Sequence, residues 1–481
     1  MKSAIKNEKG KLAYLSVLVI ILMLTNLSGQ NLDLNFGFTS MQLIPASYTP
    51  APVPIRSDAK IVATDSHLFY IGTNNKICEY WNGGGGTWSG GQQLVWTNTF
   101  FVQTNTQICN NGNEIFFVRK SDDKICRLYW SAGNWYESAI RTDYIPPSLR
   151  VRQGTSLIYN NNTIYYVGQN NQICYTYRAT QGTSFNFPSV LNAQPIDVLP
   201  NTDILYVAGN QTTAHIYYIG KNNRIYDIFK NSNAWTASTN SLASNVSLPA
   251  VRSGSQLTND GNQIFYVGAD DKIYELHWEN NVTGWTGSLI MPINVELAKN
   301  PSQITYFDNH IYYIGANSKI SDLFRGTSWT GATIGTATIL NNSSFSVFKG
   351  TTGHNIFSIG TDNRIKITLW DDVDCKFNAD PNYCNFPSCQ GQTWHNGGLN
   401  ITSNTVTSTS NIAIPIDPFN PTNTPKSFYF IGSNGYANVF LRPVLNDINK
   451  PGWILKRDDE FSSLSTTQGL WDSQGPWSHG M

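Results

Sequence analysis

One phrase returns along the whole chain. FYIGTNNKICEYW begins at Phe69, FFVRKSDDKICRLYW at Phe116, YYVGQNNQICYTY at Tyr165 and YYIGKNNRIYDIF at Tyr217. FYVGADDKIYELHW follows at Phe265, YYIGANSKISDLF at Tyr312, FSIGTDNRIKITLW at Phe357 and a worn copy, FYFIGSNGYANVFL, at Phe428. The anchoring isoleucines Ile77, Ile125, Ile173, Ile225, Ile273, Ile320 and Ile365 are spaced by 48, 48, 52, 48, 47 and 45 residues. A period of that size means stacked supersecondary units, each too small to bury its own apolar face.

The unit reads as strands. Ile216-Tyr217-Tyr218-Ile219 is β-branched and aromatic, as pleated, half-buried surfaces require. Gly220-Lys221-Asn222-Asn223-Arg224 supplies residues that tolerate positive φ in a tight hairpin, and Ile225-Tyr226-Asp227-Ile228-Phe229 returns. A shorter strand precedes each pair, and a Trp-led strand follows it: Trp88, Trp135, Trp235, Trp285 and Trp329. The alternation has period two, which excludes helical solenoids. Four short antiparallel strands per unit of this length make one β-propeller blade. The expected fold is all-β, a propeller of seven or eight four-stranded blades over residues 30–450. The patterned stretch 32–38 is expected to supply the strand that closes the last blade.

Composition narrows the functions. The 481 residues carry 32 Lys+Arg and 32 Asp+Glu, a net charge of zero, and only 13% are charged while 13% are aromatic. A neutral chain lacks the basic footprint of nucleic-acid or anionic-membrane binding. Lys2, Lys6, Lys9 and Lys11 precede an apolar run, 12–24, too short to span a bilayer. Residues 1–29 therefore read as a signal peptide, placing the mature chain outside the cell, at its surface or in a periplasm, with no membrane span.

Seven cysteines fit an oxidising compartment. Cys78, Cys126 and Cys174 recur at one repeat position, where a small buried residue suffices. Cys375, Cys384 and Cys389 cluster in an insert that reads as a loop stapled by one disulfide; a zinc site fits their spacing less well. Asp371, Asp372 and Asp374 read as a solvated acidic loop. No metal or cofactor is called for.

The unit [IF]-Y-[YF]-[IV]-G-x-[ND]-[ND]-[KR]-I-x-[ED], followed by G-W-T-G, resembles the fungal fucose-specific lectins and the tectonin-like propeller lectins over residues 55–440. That resemblance implies sugar sites between adjacent blades. In them an acidic residue and an Arg grip hydroxyls, and an aromatic of the next blade stacks on the ring. The acidic position maps to Glu79, Asp227, Glu275 and Asp322, and is Arg127, Tyr175 and Ile367 elsewhere. At the Arg position stand His67, Glu114, Thr163, His215, Gln263, His310 and Asn355. The histidines, His215 and His310 among them, can each donate one hydrogen bond in its place. The aromatic layer maps to Trp88, Trp135, Trp235, Trp285 and Trp329, with Trp285 the leading candidate because Glu275 and an open Gly-Thr-Gly setting accompany it. Tryptophans repeated in this way also serve to lock neighbouring blades, and both roles stay open.

No G-x-S-x-G elbow, H-E-x-x-H helix or sialidase-type box occurs, so no catalytic motif lies within the chain. The tail from Gly452 is different. Trp453, Leu455, Asp459, Glu460, Phe461 and Trp471 resemble the opening of a glycoside hydrolase family 16 domain, which makes residues 451–481 the expected start of a truncated second β domain. The expectation is a secreted module that recognises neutral glycans at interblade pockets and targets an attached hydrolase to polysaccharide. The alternative is a propeller scaffold for protein partners without sugar binding.

Overall fold

The structure is a computed structural model. It describes residues 50–371 with short interruptions, together with 39–42, 393–397, 405–406, 412 and 427–441. The segment 1–29, the stretch 32–38, the cysteine insert, Asp372, Asp374 and the tail 451–481 lie outside the described residues. Seven four-stranded antiparallel sheets follow one another in chain order. Blade 1 is Val62–Ala63, His67–Ile71, Ile77–Asn82 and Trp88–Gln93, running from inner to outer strand. Blades 2 to 7 span 109–139, 158–190, 205–237, 258–289, 304–334 and 346–397. An eighth sheet has three strands in the order Thr39–Gln42, Ala437–Leu441, Ser427–Ile431. Among the described residues the sole helical element is one 3-10 turn, Pro147–Leu149, and no helix is long and apolar enough to cross a membrane.

The repeated hairpin does two jobs. Its Asx residue turns the chain: Asn74 Oδ1 accepts the Lys76 N–H at 3.0 Å, and Asn75 takes a φ of +58°, a region Asn tolerates better than most residues. The carbonyl of that positive-φ residue then accepts a backbone N–H from the next blade. Asn75, Asp123, Asn171, Asn223, Asp271, Ser318, Asn363 and Gly435 take Val102, Val151, Val198, Val251, Ala298, Ile339, Val406 and Ile55, at 2.7 to 3.0 Å. The last of these bonds leads from the eighth sheet to blade 1, so the ring closes on itself through eight hairpins. Arg56 reinforces the same turn, its Nη1 donating to Asn75 Oδ1 at 2.9 Å and its Nη2 to the Gln103 carbonyl at 3.0 Å. Arg152 and Arg252 repeat the arrangement in blades 3 and 5.

A segment near the N-terminus closes the ring; the stretch 32–38, expected to supply the closing strand, lies outside the described residues. Thr39–Gln42 pairs antiparallel with Ala437–Leu441, Met41 opposite Val439. An open edge would be a template for pairing with another chain, and the N-terminal strand covers it.

The core divides by seam. Residues of the second strand point alternately to the two neighbouring blades: Tyr165 and Val167 pack with blade 4, while Ile164 and Tyr166 pack with blade 2. Both faces are covered, so this strand is apolar throughout and not alternating. Cys78, Cys126 and Cys174 are free thiols in these interiors.

Candidate functional site: the seams between blades

Strand register fixes what faces each seam. In blade 1 His67, Phe69, Glu79 and Trp81 share one face, with Phe69 opposite Glu79 and His67 opposite Trp81. That face looks at blade 2. The outer-strand Trp135 of blade 2 looks back, and the two walls meet. His67 Nδ1 lies 2.6 Å from Glu79 Oε1. Trp135 donates its indole N–H to Glu79 Oε2 at 3.3 Å and meets Phe69 edge-on at 5.9 Å.

The pattern recurs with variation. In seam 4/5 His215 Nδ1 lies 2.9 Å from Asp227 Oδ2, and Trp285 meets Tyr217 edge-on at 5.9 Å. Burial pushes the Asp227 carboxyl above the usual carboxylate range, and the hydrogen bond from His215 offsets this only in part. In seam 5/6 Trp329 donates to Glu275 Oε2 at 3.3 Å, Ser288 Oγ donates to Oε1 at 3.0 Å, and Trp329 meets Phe265 at 5.8 Å. Arg325 of blade 6 enters the same seam, bonded to Gln263 and lying 5.8 Å over the Trp329 ring.

Two seams are filled by the protein itself. In seam 2/3 the repeat positions of acid and base are exchanged: Glu114 pairs with Arg127 at 3.0 Å and also with Arg178 of blade 3. The Arg178 side chain is fully buried, with its guanidinium 4.9 Å over Phe185. Burial raises the Glu114 carboxyl, but the bonds from Arg178 and Asn111 outweigh it and hold it below its ordinary value. In seam 6/7 His310 and Asp322 are both buried, 3.0 Å apart, and His354 of blade 7 stands edge-on to His310 at 4.7 Å. His354 Nδ1 is 2.6 Å from the Tyr312 hydroxyl and its Nε2 is 3.2 Å from Asp308.

The remaining seams hold no described carboxylate of this kind. Trp235 packs on Tyr165 at 5.7 Å in seam 3/4, where the acidic position is Tyr175, and Trp88 packs on Tyr429 of the eighth sheet at 5.6 Å.

The aromatic that faces each acidic residue belongs to the next blade, so Trp285, singled out beside Glu275 of its own repeat, does not share a seam with it. Glu79 meets Trp135, not Trp88; Asp227 shares a seam with Trp285, not Trp235; Glu275 meets Trp329, not Trp285. A strand's acidic residue faces forward while the outer-strand Trp faces back, so the partner comes from the following repeat. Asp322 and His310, for the same reason, do not pair with Trp329, and His354 and Phe324 cover them. Every seam tryptophan makes the edge-on contact that locks blades together, yet each keeps part of its surface in solvent.

Sequence reasoning also missed the arginines. Arg178 and Arg325 each stand five residues after the anchoring isoleucine and reach back to the previous blade's Glu114 and Gln263. The signal was the pairing of that position with the strand-two residue one repeat earlier.

No known protein-family profile matches the chain, and no curated protein matches it significantly. Similar solved structures exist. AofleA from Arthrobotrys oligospora is 18% identical, the match covering 53% of this chain and 78% of its own, with a TM-score of 0.34. The Aleuria aurantia lectin, a six-bladed propeller with fucose recognition, is 14% identical over 72% of this chain and 98% of its own, TM-score 0.35. The BP39L lectin from Burkholderia pseudomallei is 13% identical over 66% and 96%, TM-score 0.44. The functional reading therefore rests on the seams themselves.

Proposed function

We propose that this protein is a carbohydrate-binding β-propeller that takes neutral glycans at seams 1/2, 4/5 and 5/6. The observation that carries this reading is the shared constellation at Glu79, Asp227 and Glu275: a buried carboxylate on one blade and a half-exposed indole on the next. A pyranose presents an apolar C–H face and a set of hydroxyls. The indole suits the first, and a carboxylate with lone pairs still free accepts from the second. His67, His215 and Arg325 add donors at the edge of each seam. The carboxylate repels anionic sugars, which favours neutral ones. Several weak sites on one rigid ring gain by multivalency.

Glu114 and Asp322 lock their seams with no room for a ligand; at Glu79, Asp227 and Glu275 the partly exposed indole beside the carboxylate favours a sugar over a protein-binding scaffold. Export, and service as the targeting module of an attached glycoside hydrolase, are further parts of the proposal that rest on segments 1–29 and 451–481. A glycan array probed with the purified protein tests the reading. Selective retention on neutral glycans, lost in Glu79→Gln/Asp227→Asn/Glu275→Gln, supports it; retention on no glycan overturns it.

A further inference from the structure

Three tryptophans occupy one repeat position, five residues after the anchoring isoleucine: Trp130, Trp278 and Trp370; the first two have described side chains and stand outside these pockets. Trp130 and Trp278 lie five residues after Ile125 and Ile273, directly opposite Trp135 and Trp285 in strand register. They are 56% and 52% exposed. Each meets its inner neighbour edge-on, Trp130 with Trp135 at 5.5 Å and 71°, Trp278 with Trp285 at 6.1 Å and 76°. Alternation along the strand turns Trp130 to the side of Cys126 and Leu128, which pack on blade 1. It turns Trp278 to the side of Tyr274 and Leu276, which pack with blade 4. Each indole thus stands at the outer mouth of a seam whose inner end holds a His–carboxylate pair. The facing wall of each mouth is aromatic too: Trp81, 43% exposed, in register with His67, and Phe229 with His215.

Arg178 and Arg325 occupy the same repeat position in blades 3 and 6, and there a guanidinium reaches back, filling seam 2/3 and closing the outer mouth of seam 5/6. An indole has one donor and no such reach, and the mouths of seams 1/2 and 4/5 are walled by partly exposed aromatic rings. The repeat therefore sorts its seams. Where the earlier blade has His67, His215 or His310, the next has Trp; where it has Glu114 or Gln263, the next has Arg. Seam 6/7, behind His310, is filled by His354, which leaves seams 1/2 and 4/5 as the His–Trp seams with a candidate pocket.

We propose that Trp130 and Trp278 form an outer sugar subsite, so that seams 1/2 and 4/5 take a disaccharide unit or longer stretch of a neutral glycan. Seam 5/6, its outer mouth closed by Arg325, takes a single residue. A pyranose offers two roughly parallel faces, so indoles inclined at 71° and 76° do not both stack on one ring. Two adjacent sugars turned about a glycosidic bond present faces at such an angle. The assignment rests on the carbohydrate reading above.

The test is titration calorimetry with two panels: the methyl glycosides of fucose, galactose, glucose, mannose and N-acetylglucosamine, and tetrasaccharides ending in each of these. The variants are Trp130→Ser/Trp278→Ser and, as a reference, Trp135→Ala/Trp285→Ala. Blades 1, 4 and 6 carry Asn82, Lys230 and Arg325 at the outer position, so the fold accommodates polar residues there. The expected result is that the outer pair lowers the tetrasaccharide-to-monosaccharide affinity ratio about 3–10-fold, the range of one aromatic stacking contact. The inner pair lowers both affinities in parallel. An unchanged ratio in the outer variant overturns the outer subsite alone. Binding of neither panel by the unaltered protein overturns the carbohydrate reading and the subsite with it.

Discussion

Trp329 of blade 6 donates its indole N–H to Glu275 of blade 5 at 3.3 Å, whereas Trp285, in the same blade as Glu275, packs on Tyr217 of blade 4. The functional unit of this ring is the seam, not the blade. A double-mutant cycle in chemical denaturation checks that. Glu275→Gln and Trp329→Phe should show a coupling energy of about 1 kcal/mol, the net value of one hydrogen bond. Glu275→Gln and Trp285→Phe should add within about 0.5 kcal/mol. Coupling to Trp285 instead of Trp329 would contradict the seam pairing.

Arg178 is fully buried against Glu114, which is itself almost inaccessible. Removing Arg178 strips Glu114 of its bidentate partner but leaves Arg127 and Asn111, so the cost is about 2–3 kcal/mol, below that of a fully uncompensated buried charge. Arg178→Met alone should lower stability by that order, and adding Glu114→Gln should recover much of it. Equilibrium unfolding of the single and double variants gives the answer. A single variant as stable as the unaltered protein would mean that seam 2/3 is not held by this pair.

Glu137 lies on the outer strand of blade 2, with Oε2 unbonded among the described residues and buried. Burial pushes its carboxyl up to about 8 against the pull of Lys76 and Arg119. A carboxyl whose folded pKa is raised favours the fold while protonated. Its contribution is complete below the unfolded value of about 4.3 and is lost as pH rises through about 8. Glu137→Gln should therefore gain about 1–2 kcal/mol over the native protein at pH 9, well below the full linkage value because the side chain is partly solvated, and nothing at pH 4. Melting curves across that range measure the difference. An equal effect at both pH values would contradict the assignment.

Cys78, Cys126 and Cys174 occupy one repeat position inside the seams. Burial pushes each thiol up to about 12, so almost no thiolate exists at neutral pH. Peptide mapping after brief alkylation of the native protein should find these three unlabelled, and labelled once the protein is unfolded. Rapid native labelling of any of them would show that its seam opens.

Architecture was legible because its determinants are local. The period, the Gly-x-Asn-Asn turn with its positive φ at Asn75 and Asn223, and the order of strands within a blade all lie inside one repeat. The site was legible in residue types but not in pairing. Glu79 and Trp135 are 56 residues apart, and Arg178 and Glu114 are 64 apart, so both contacts cross from one repeat to the next. Only the face to which each strand position points decides them. His354 could not be foreseen as the lid of Asp322 and His310, because it lies one residue off the position the other blades use. The closing strand Thr39–Gln42 carries little apolar alternation, and its partner Ala437–Leu441 sits at the far end of the chain.

The central claim is that a glycan lies in the seam between a carboxylate of one blade and an indole of the next. A crystal soaked with the tightest-binding neutral oligosaccharide from the array tests it most directly. The account predicts sugar density in seams 1/2, 4/5 and 5/6, with hydroxyls within hydrogen-bonding distance of Glu79, Asp227 and Glu275 and a ring against Trp135, Trp285 and Trp329. Sugar density confined to the central channel or to a flat face of the ring, with those seams empty, would contradict it.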